Sequence, residues 1–289
     1  MKLVVFTDLD ATLLDPVTYS WAEARDALDA LKERHAAIVL VSSKTLTEME
    51  PIHREMELAD PFIVENGGGV VFGREMSMAS KLAALRYGEP PAAKGAFMML
   101  PLGSGYECLV SALGEIALDV GLQLKGFASM SDEEVAALTG LSIIDAAKAK
   151  VRDFDEPFVV PDLAAEWPDR IQQAASRRGL TAVQGGRFWH LIGHAGKGRV
   201  VSLLMGIYRD LYGGTVTVGL GDSPNDYPFL ELVDIPVAIG GGALGTSSSD
   251  WVARARYTSE TGPKGWNRAI FALLSELDAQ LLRAKESGR

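Results

Sequence analysis

The chain has 289 residues, long enough for one large α/β domain or for two domains. Hydrophobic residues make up 47% and charged residues 23%, the composition of a folded soluble protein, which argues against disorder. With 28 Lys plus Arg against 38 Asp plus Glu the formal net charge is -10, the wrong sign for a general nucleic-acid or anionic-membrane surface, so neither partner is expected and an anionic substrate would need a few placed cations or a metal.

A single cysteine, Cys108, excludes an intrachain disulfide and reads as a small core residue. The amino terminus shows neither a signal peptide nor an apolar segment long enough for a membrane span, and the expected location is the cytoplasm.

Leu3 to Phe6 form an unbroken apolar run that stops at Thr7 and Asp8. This predicts a buried parallel strand whose carboxyl end delivers Asp8 and Asp10, where open α/β sheets put their chemistry. If the chain stays extended both carboxylates can enter one cleft, and such a pair needs a cation or a shared proton. The same residues could instead cap the next helix.

After a loop at Asp15 and Pro16, the stripe Trp21, Ala24, Leu28 and Leu31 predicts a helix from about Trp21 to Arg34, with Trp21 as packing. Ala37 to Val41 predicts a second buried strand, which ends in Ser42, Ser43, Lys44 and Thr45 ahead of a helix near Thr47. Hydroxyls and backbone N–H groups there form a candidate phosphate cradle, and Ser43 or Thr45 could equally cap the helix. Pro61 to Val64 predicts a third strand, followed by Glu65, Asn66 and the glycines Gly67, Gly68 and Gly69. Those glycines permit close backbone approach, at the sheet edge that carries Asp8 and Ser42, so a substrate-facing role is expected beside the simpler reading of a tight turn into Val70 to Phe72.

Near Ala84 the strand–helix rhythm changes. Tyr87 to Gly95 reads as a linker, Phe97 to Leu100 and Leu122 to Gly126 as strands, and Tyr106 to Val120 and Asp132 to Leu138 as helices, the second capped by Ser131. Ile143 to Val151 continues as helix, a strand ends near Val160, Leu163 to Arg178 reads as helix, and Thr181 to Ile192 as a hairpin. Together they predict a small α+β lid inserted above the Asp8 end. If Phe188 faces the lid's apolar layer, alternation sets Arg187 and Trp189 on the opposite face and returns His190 to the Phe188 side. Arg187 is the anion-binding candidate, while His190 suits either a ligand contact or a hydrogen-bonded core position.

His194-Ala-Gly196-Lys197-Gly198 leads into a helix from Val200 to Tyr212. A cation at a helix start opposes the helix field, so Lys197 is better explained by a phosphate or a neighbouring carboxylate. Thr215 to Leu220 predicts another central strand, ending in Gly221-Asp222-Ser223-Pro224-Asn225-Asp226, an oxygen-rich turn that suits a hard cation such as Mg2+. Pro236 makes Ile235 to Ile239 an expected edge strand, Gly240 to Gly242 a turn, and Trp266, Ile270, Leu273, Leu277 and Leu281 the docking stripe of a closing helix.

Four separated signatures, Asp8-x-Asp10-x-Thr12, Ser42, Lys197 and Gly221-Asp222-x-x-Asn225-Asp226, resemble those of the haloacid-dehalogenase-like superfamily. The resemblance is closer to the mannosyl-3-phosphoglycerate phosphatase family, through Ser42 to Thr45, Glu65 to Gly68, Glu156 to Phe158, Gly185 to Phe188 with His190, Gly221 to Asp226, and Gly262 to Asn267. Ala11 departs from the glycine usual there. The implied fold is a Rossmann-like hydrolase core, 1–83 and 191–289, interrupted by a type C2 α+β cap at 84–190. The resemblance implies that Asp8 attacks phosphorus, that Asp10 is acid and then base, and that Ser42 and Lys197 orient phosphoryl oxygens. Mg2+ would be held by Asp8, Asp10 through its carbonyl, and Asp222, with Asp226 behind. The implied partner is a phosphorylated glycosyl-glycerate, with Arg187 on the glycerate carboxylate and Glu65, Asn66, Gly67, His190 and Lys264 near its other oxygens. A glucosyl-3-phosphoglycerate phosphatase, a broader sugar-phosphate or nucleotide phosphatase, a phosphomutase relative and an inactive metal-dependent binding protein stay open. Oligomeric state is not legible.

Overall fold

Leu3 to Phe6 form a strand buried on both faces, β1 (Lys2–Thr7), in a computed structural model that describes residues 1–85, 89–160, 167–193, 195–240 and 250–287. Tyr87, His194, Gly241, Gly242, the first residues of the expected 163–178 helix and the side chain of Leu281 lie outside the described residues. The other strands are, in order, β2 (Ala37–Leu40), β3 (Phe62–Val64), β4 (Gly69–Gly73), β5 (Ala92–Lys94), β6 (Phe97–Pro101), β7 (Lys125–Gly126), β8 (Asp155–Val159), β9 (Thr181–Gln184), β10 (Trp189–Ile192), β11 (Thr215–Gly221), β12 (Ile235–Ala238) and β13 (Arg256–Tyr257). The helices are α1 (Arg25–Glu33), α2 (Leu46–Glu55), α3 (Ala79–Ala84), α4 (Tyr106–Val120), α5 (Asp132–Thr139), α6 (Ile143–Ala149), α7 (Trp167–Ser176), α8 (Lys197–Tyr212), α9 (Tyr227–Leu230), α10 (Asp250–Arg254) and α11 (Gly262–Ser287). Among the described residues no helix is long and apolar enough to cross a membrane.

The main sheet is parallel, in the order β13-β12-β11-β1-β2. Alternation sorts its side chains into two layers. Val5, Ile38, Leu40, Val218 and Leu220 pack under α1 and α11, and Val4, Phe6, Val39 and Val41 pack under α8 and α9. Because β1 and β11 are neighbours, in register from Lys2 with Thr215 to Thr7 with Leu220, chain segments more than two hundred residues apart end side by side. Asp8 N–H continues the ladder onto the carbonyl of Leu220 at 2.9 Å.

Two strand expectations change. Pro236 does not put β12 at the edge: the short β13 pairs with Val237 and Ala238, beyond the proline, so that ladder does not need the missing N–H. Phe97–Pro101, which falls inside the 84–190 segment, pairs with β4 in a separate sheet of order β3-β4-β6-β5, joined to the main sheet by a bridge between Val41 and Ile63. The sheet of the cap is antiparallel, in the order β7-β8-β10-β9, and its strand β10 runs two residues past the expected boundary at 190. One of its faces, with Phe158 and Leu191, packs on α4 and α7, and a second cluster joins Phe127 and Met130 to α5 and α6.

Helix boundaries follow their caps. Thr45 and Ser131 each accept from the N3 backbone in capping boxes with Glu48 and Glu134, which starts α2 and α5. Cys108 is exposed rather than in the core, since the buried stripe of α4 runs through Leu109, Leu113, Ile116 and Val120 and position 108 lies one residue off it.

His53 of α2 is buried against Phe62 and Phe97, with ring centroids 4.7 and 6.0 Å away, and its Nε2–H meets the carbonyl of Asp60 at 2.9 Å. Burial pushes its pKa below the ordinary value of about 6.5, so the fold prefers the neutral ring. That contribution is complete above about pH 6.5 and is lost as pH falls toward the depressed folded-state pKa. His53→Gln, which keeps a donor without titrating, is expected to flatten the fall of thermal midpoint with pH below about 6.5 relative to the unsubstituted chain; identical profiles for the two would show that His53 does not set it.

Candidate active site

The site forms where β1 and β11 end. Three carboxylates, Asp8, Asp222 and Asp226, offer oxygens that all lie within 4.8 Å of one another. Each has a distinct support. Asp226 Oδ2 accepts from the backbone N–H groups of Asp222 and Ser223 at 3.1 and 3.2 Å, closing the 222–226 turn, and Asp222 Oδ1 accepts from Thr12 Oγ1 at 3.0 Å. Behind Asp8, Thr7 Oγ1 donates to the Asp8 carbonyl and accepts from Trp266 Nε1 at 3.0 Å, so α11 braces the strand end.

Lys197 sits in the first turn of α8, which starts three residues earlier than the sequence indicated. Its side chain is 1% exposed and its Nζ lies 2.6 Å from both Asp8 Oδ1 and Asp226 Oδ1. Burial alone would pull its pKa down, but Asp226 and Asp8 hold it above the ordinary lysine value, so the ammonium stays charged. Burial and the neighbouring Asp226 push Asp8 well up and Asp222 up to about 7. Three carboxylates against one ammonium leave a deficit that a divalent cation matches, and an all-oxygen donor set suits Mg2+. These residues therefore fit the metal. The Asp10 side chain takes no part in the cluster; its Oδ1 lies 2.9 Å from Lys44 Nζ.

A cavity of about 290 Å³ opens above this floor. Core residues Asp8, Asp10, Tyr19, Lys44, Glu48 and Asp222 line one side, and Phe127, Leu141, Arg152, Pro157, Arg187, Phe188 and His190 line the other. Strand register explains the cap wall. His190 pairs with Pro157 on the face turned to the cavity, while Trp189 pairs with Phe158 on the face covered by α4 and α7. Arg187 and Phe188 both line the cavity, contrary to the expected alternation, because 185–188 is a bend ahead of β10 and strand parity does not apply.

Other candidate residues fall elsewhere. Glu65 accepts from the backbone N–H groups of Asp153 and Phe154 at 3.0 and 2.7 Å and is buried, with its pKa pushed up to about 7 by that burial. Asn66 Nδ2 donates to Asp155 Oδ2 at 2.9 Å, and its Oδ1 accepts from Asn225 at 3.0 Å. Gly67 adopts φ +93, and a Cβ there would stand 2.6 Å from the Gly196 carbonyl carbon. These three residues dock the cap connections rather than line the cavity. Lys264 is exposed and outside the lining, its motif serving instead to seat Trp266 and to give Asn267 Oδ1 the Ala27 N–H. Ser42 is fully buried, its Oγ accepting from Lys44 N at 3.2 Å, and so supports the 42–45 turn from beneath.

His190 Nδ1 lies 2.9 Å from Asp155 Oδ2, and an acceptor there requires Nδ1 to carry the proton. Burial would raise the pKa of Asp155, but the His190 ring and Arg152 outweigh it and hold the carboxyl below its ordinary value. Arg152, Asp155, Tyr19 and Lys44 were not singled out as site residues from sequence. The available signal was the Lys44–Glu48 spacing of four and the charged cluster between Lys150 and Glu156.

A floor of aspartates at the ends of parallel strands beneath an inserted cap defines a haloacid dehalogenase-like hydrolase, and the family model with that description matches residues 5–84. Two relatives cover nearly the whole chain. A glucosyl-3-phosphoglycerate/mannosyl-3-phosphoglycerate phosphatase of Methanococcoides burtonii is 34% identical over 96% of this chain and 98% of its own. One of the same description from Persephonella marina is 35% identical over the same shares. Among solved structures, a Thermoplasma acidophilum protein superposes with a TM-score of 0.63 at 16% identity, over 94% of this chain and 98% of that one. A sucrose-phosphatase of Synechocystis gives 0.61 at 12% identity over the same shares. The chain belongs to the mannosyl-3-phosphoglycerate phosphatase family of haloacid dehalogenase-like phosphatases.

Ala11, in the family's glycine position, adopts φ +59, and its carbonyl accepts from Gly262 N at 3.0 Å. A left-handed alanine costs about 1–2 kcal/mol, against which glycine adds about 0.4–1 kcal/mol of unfolded-chain entropy. Ala11→Gly is therefore expected to leave the thermal midpoint unchanged or raise it, as differential scanning calorimetry would record; a clear drop would mean the methyl group makes a stabilising contact.

Proposed function

We propose that the chain is a Mg2+-dependent phosphatase that hydrolyses mannosyl-3-phosphoglycerate to mannosylglycerate and phosphate through an aspartyl-phosphate on Asp8. The observation that carries this reading is the Lys197 ammonium 2.6 Å from both Asp8 and Asp226 at the floor of a cavity walled by the cap. An oxygen of Asp8 attacks phosphorus as the bond to the glycerate oxygen breaks, and Asp10 gives that departing oxygen its proton. Asp10 then takes a proton from water, which attacks the aspartyl-phosphate, releasing phosphate and restoring Asp8. Lys197 fixes the carboxylate of Asp8 and offsets charge as the phosphoryl oxygens shift. Mg2+ held by Asp8, the backbone carbonyl of Asp10 and Asp222, with Asp226 behind them, would neutralise the acidic cluster and polarise the phosphoryl group.

The substrate reading is supported by the names of the two relatives, which include both sugars, so acceptance of glucosyl-3-phosphoglycerate is the second reading. On the cap side, a His190 ring fixed by Asp155 suits a sugar hydroxyl, and aromatic and apolar groups from Phe127, Leu141 and Phe188 suit the ring faces.

Phosphate release from mannosyl-, glucosyl- and unmodified 3-phosphoglycerate, measured side by side, tests this. Turnover of the glycosylated acids with Mg2+ and none with EDTA is expected, and preference for unmodified 3-phosphoglycerate would overturn the substrate class. Asp8→Asn is expected to reduce turnover by about 10⁴-fold or more, because an amide is a poor nucleophile. Near-original steady-state release by that variant would remove Asp8 from the reaction.

A further inference from the structure

Among the described residues, the cations that line the cavity are Lys44, Arg152 and Arg187, and they differ in what already holds them. Arg152 is fully committed: Nε donates to the carbonyl of Asp155 at 2.7 Å, Nη1 to that of Ala149 at 2.9 Å and Nη2 to that of Ser43 at 2.7 Å. Arg187 uses Nη1 on the carbonyl of Thr139 and Nη2 on that of Pro16 at 2.9 Å, which ties the cap bend to the loop after β1. A carbonyl fixed in the backbone cannot follow a ligand, so moving Arg152 would take a donor from three part-buried carbonyls, and moving Arg187 would break the tie between the cap bend and the loop after β1.

Lys44 is held differently. Its side chain is 10% exposed, and its Nζ lies 2.9 Å from Asp10 Oδ1, 3.8 Å from Glu48 Oε1 and 5.0 Å from the centre of the Tyr19 ring. Burial alone would lower its pKa, but Asp10 and Glu48 hold it above the ordinary lysine value, so it meets a ligand as a cation. An ammonium on a flexible four-carbon stem can exchange one carboxylate for another without stripping a backbone acceptor.

The substrate's own chemistry places its acid nearby. In a glycerate phosphorylated on carbon 3 and glycosylated on carbon 2, the carboxylate is carbon 1, two carbons from the one that bears the ester. The acid group therefore falls beside Asp10, which serves the ester oxygen and whose Oδ1 lies 2.9 Å from Lys44 Nζ. We propose that Lys44 receives the glycerate carboxylate, sharing or giving up its contact with Asp10, and that this ion pair selects glycosyl-3-phosphoglycerates over phosphate esters that lack the acid. It rests on the roles of Asp8 and Asp10 proposed above, and it replaces Arg187 as the carboxylate's partner.

The test compares kcat/KM for mannosyl-3-phosphoglycerate and for its C1 carboxamide. The unsubstituted enzyme is expected to prefer the acid by about tenfold to a hundredfold, the range of a charge-assisted hydrogen bond. Lys44→Gln should bring that ratio close to one, Lys44→Arg should restore most of it, and Arg187→Gln should keep it. Binding of mannosylglycerate and its amide by calorimetry reads the same ratio where turnover is too slow. Equal losses on acid and amide in Lys44→Gln, or collapse of the ratio in Arg187→Gln alone, would overturn the assignment. Failure of the unsubstituted enzyme to hydrolyse either glycosylated acid, measured before any substitution, would instead remove the reaction on which it rests.

Discussion

A lysine buried at the start of a helix is the interaction on which the rest of this structure depends. The first turn of α8 presents unsatisfied N–H groups whose field disfavours a cation, and Lys197 is additionally out of water. Only the two carboxylates on its Nζ make that position tolerable. Conversely, Asp8 and Asp226 could not lie so close without it. The backbone is shaped to allow the contact: a Cβ at Gly198 would stand 2.5 Å from the carbonyl oxygen of Pro228, so a glycine lets α8 approach the start of α9. Charge balance at one point thus sets the spacing of β1, α8 and the 222–226 turn, which come from opposite ends of the chain.

The cap is seated by buried polar groups rather than by an apolar interface alone. Glu65 takes the backbone N–H groups of Asp153 and Phe154, while Phe154 lies against Gly68, where a Cβ would stand 2.2 Å from the phenylalanine Cβ. Arg152 reaches the carbonyl of Ser43, and Thr45 Oγ1 that of Lys148. Each of these groups would be left unpaired by a cap that docked a residue out of register, and an unpaired buried group is costly. The glycines after Glu65 therefore serve chain against chain.

This explains which parts were legible in the sequence. The ends of β1 and β11 were, because continuous apolar runs that stop at acidic residues define both a strand and where it delivers its side chains; Asp8, Asp222 and Asp226 follow from that geometry. Lys197 was legible because its placement was electrostatically awkward. The cap contacts were not. Close approach by a ligand and close approach by another strand of the same chain make identical demands on glycine, so Gly67 could not be told apart from a substrate-facing residue. Arg187 could not be oriented because period-two alternation applies only within a strand, and the bend at 185–188 breaks it. Lys44 was hidden by a different ambiguity: on sequence it is one member of a polar turn, and only the fold brings Asp10 and the Tyr19 ring against it.

Cap and floor are joined by a line of side chains as well as by the covalent connections. His190, on the cavity wall, holds Asp155; Asp155 accepts from Asn66; Asn66 accepts from Asn225; and Asn225 Oδ1 accepts from Ser223 Oγ at 2.6 Å in the turn that Asp226 closes. Asp155 and Asn66 are buried, so water does not replace a partner while the cap stays seated. Lifting β8 away from the core must then either break the bond between Asn66 and Asp155 and hydrate a carboxylate held below its ordinary pKa, or carry Asn66 along and pull on Asn225. Asn66 sits at φ +54 in a turn tied to Ser42 by its own N–H at 2.9 Å, which fixes it to the core and favours the first course. The contact between Asn66 and Asp155 is thus one of the buried polar ties between cap and core, and the bond from Asn225 links Asn66 to the turn that Asp226 closes.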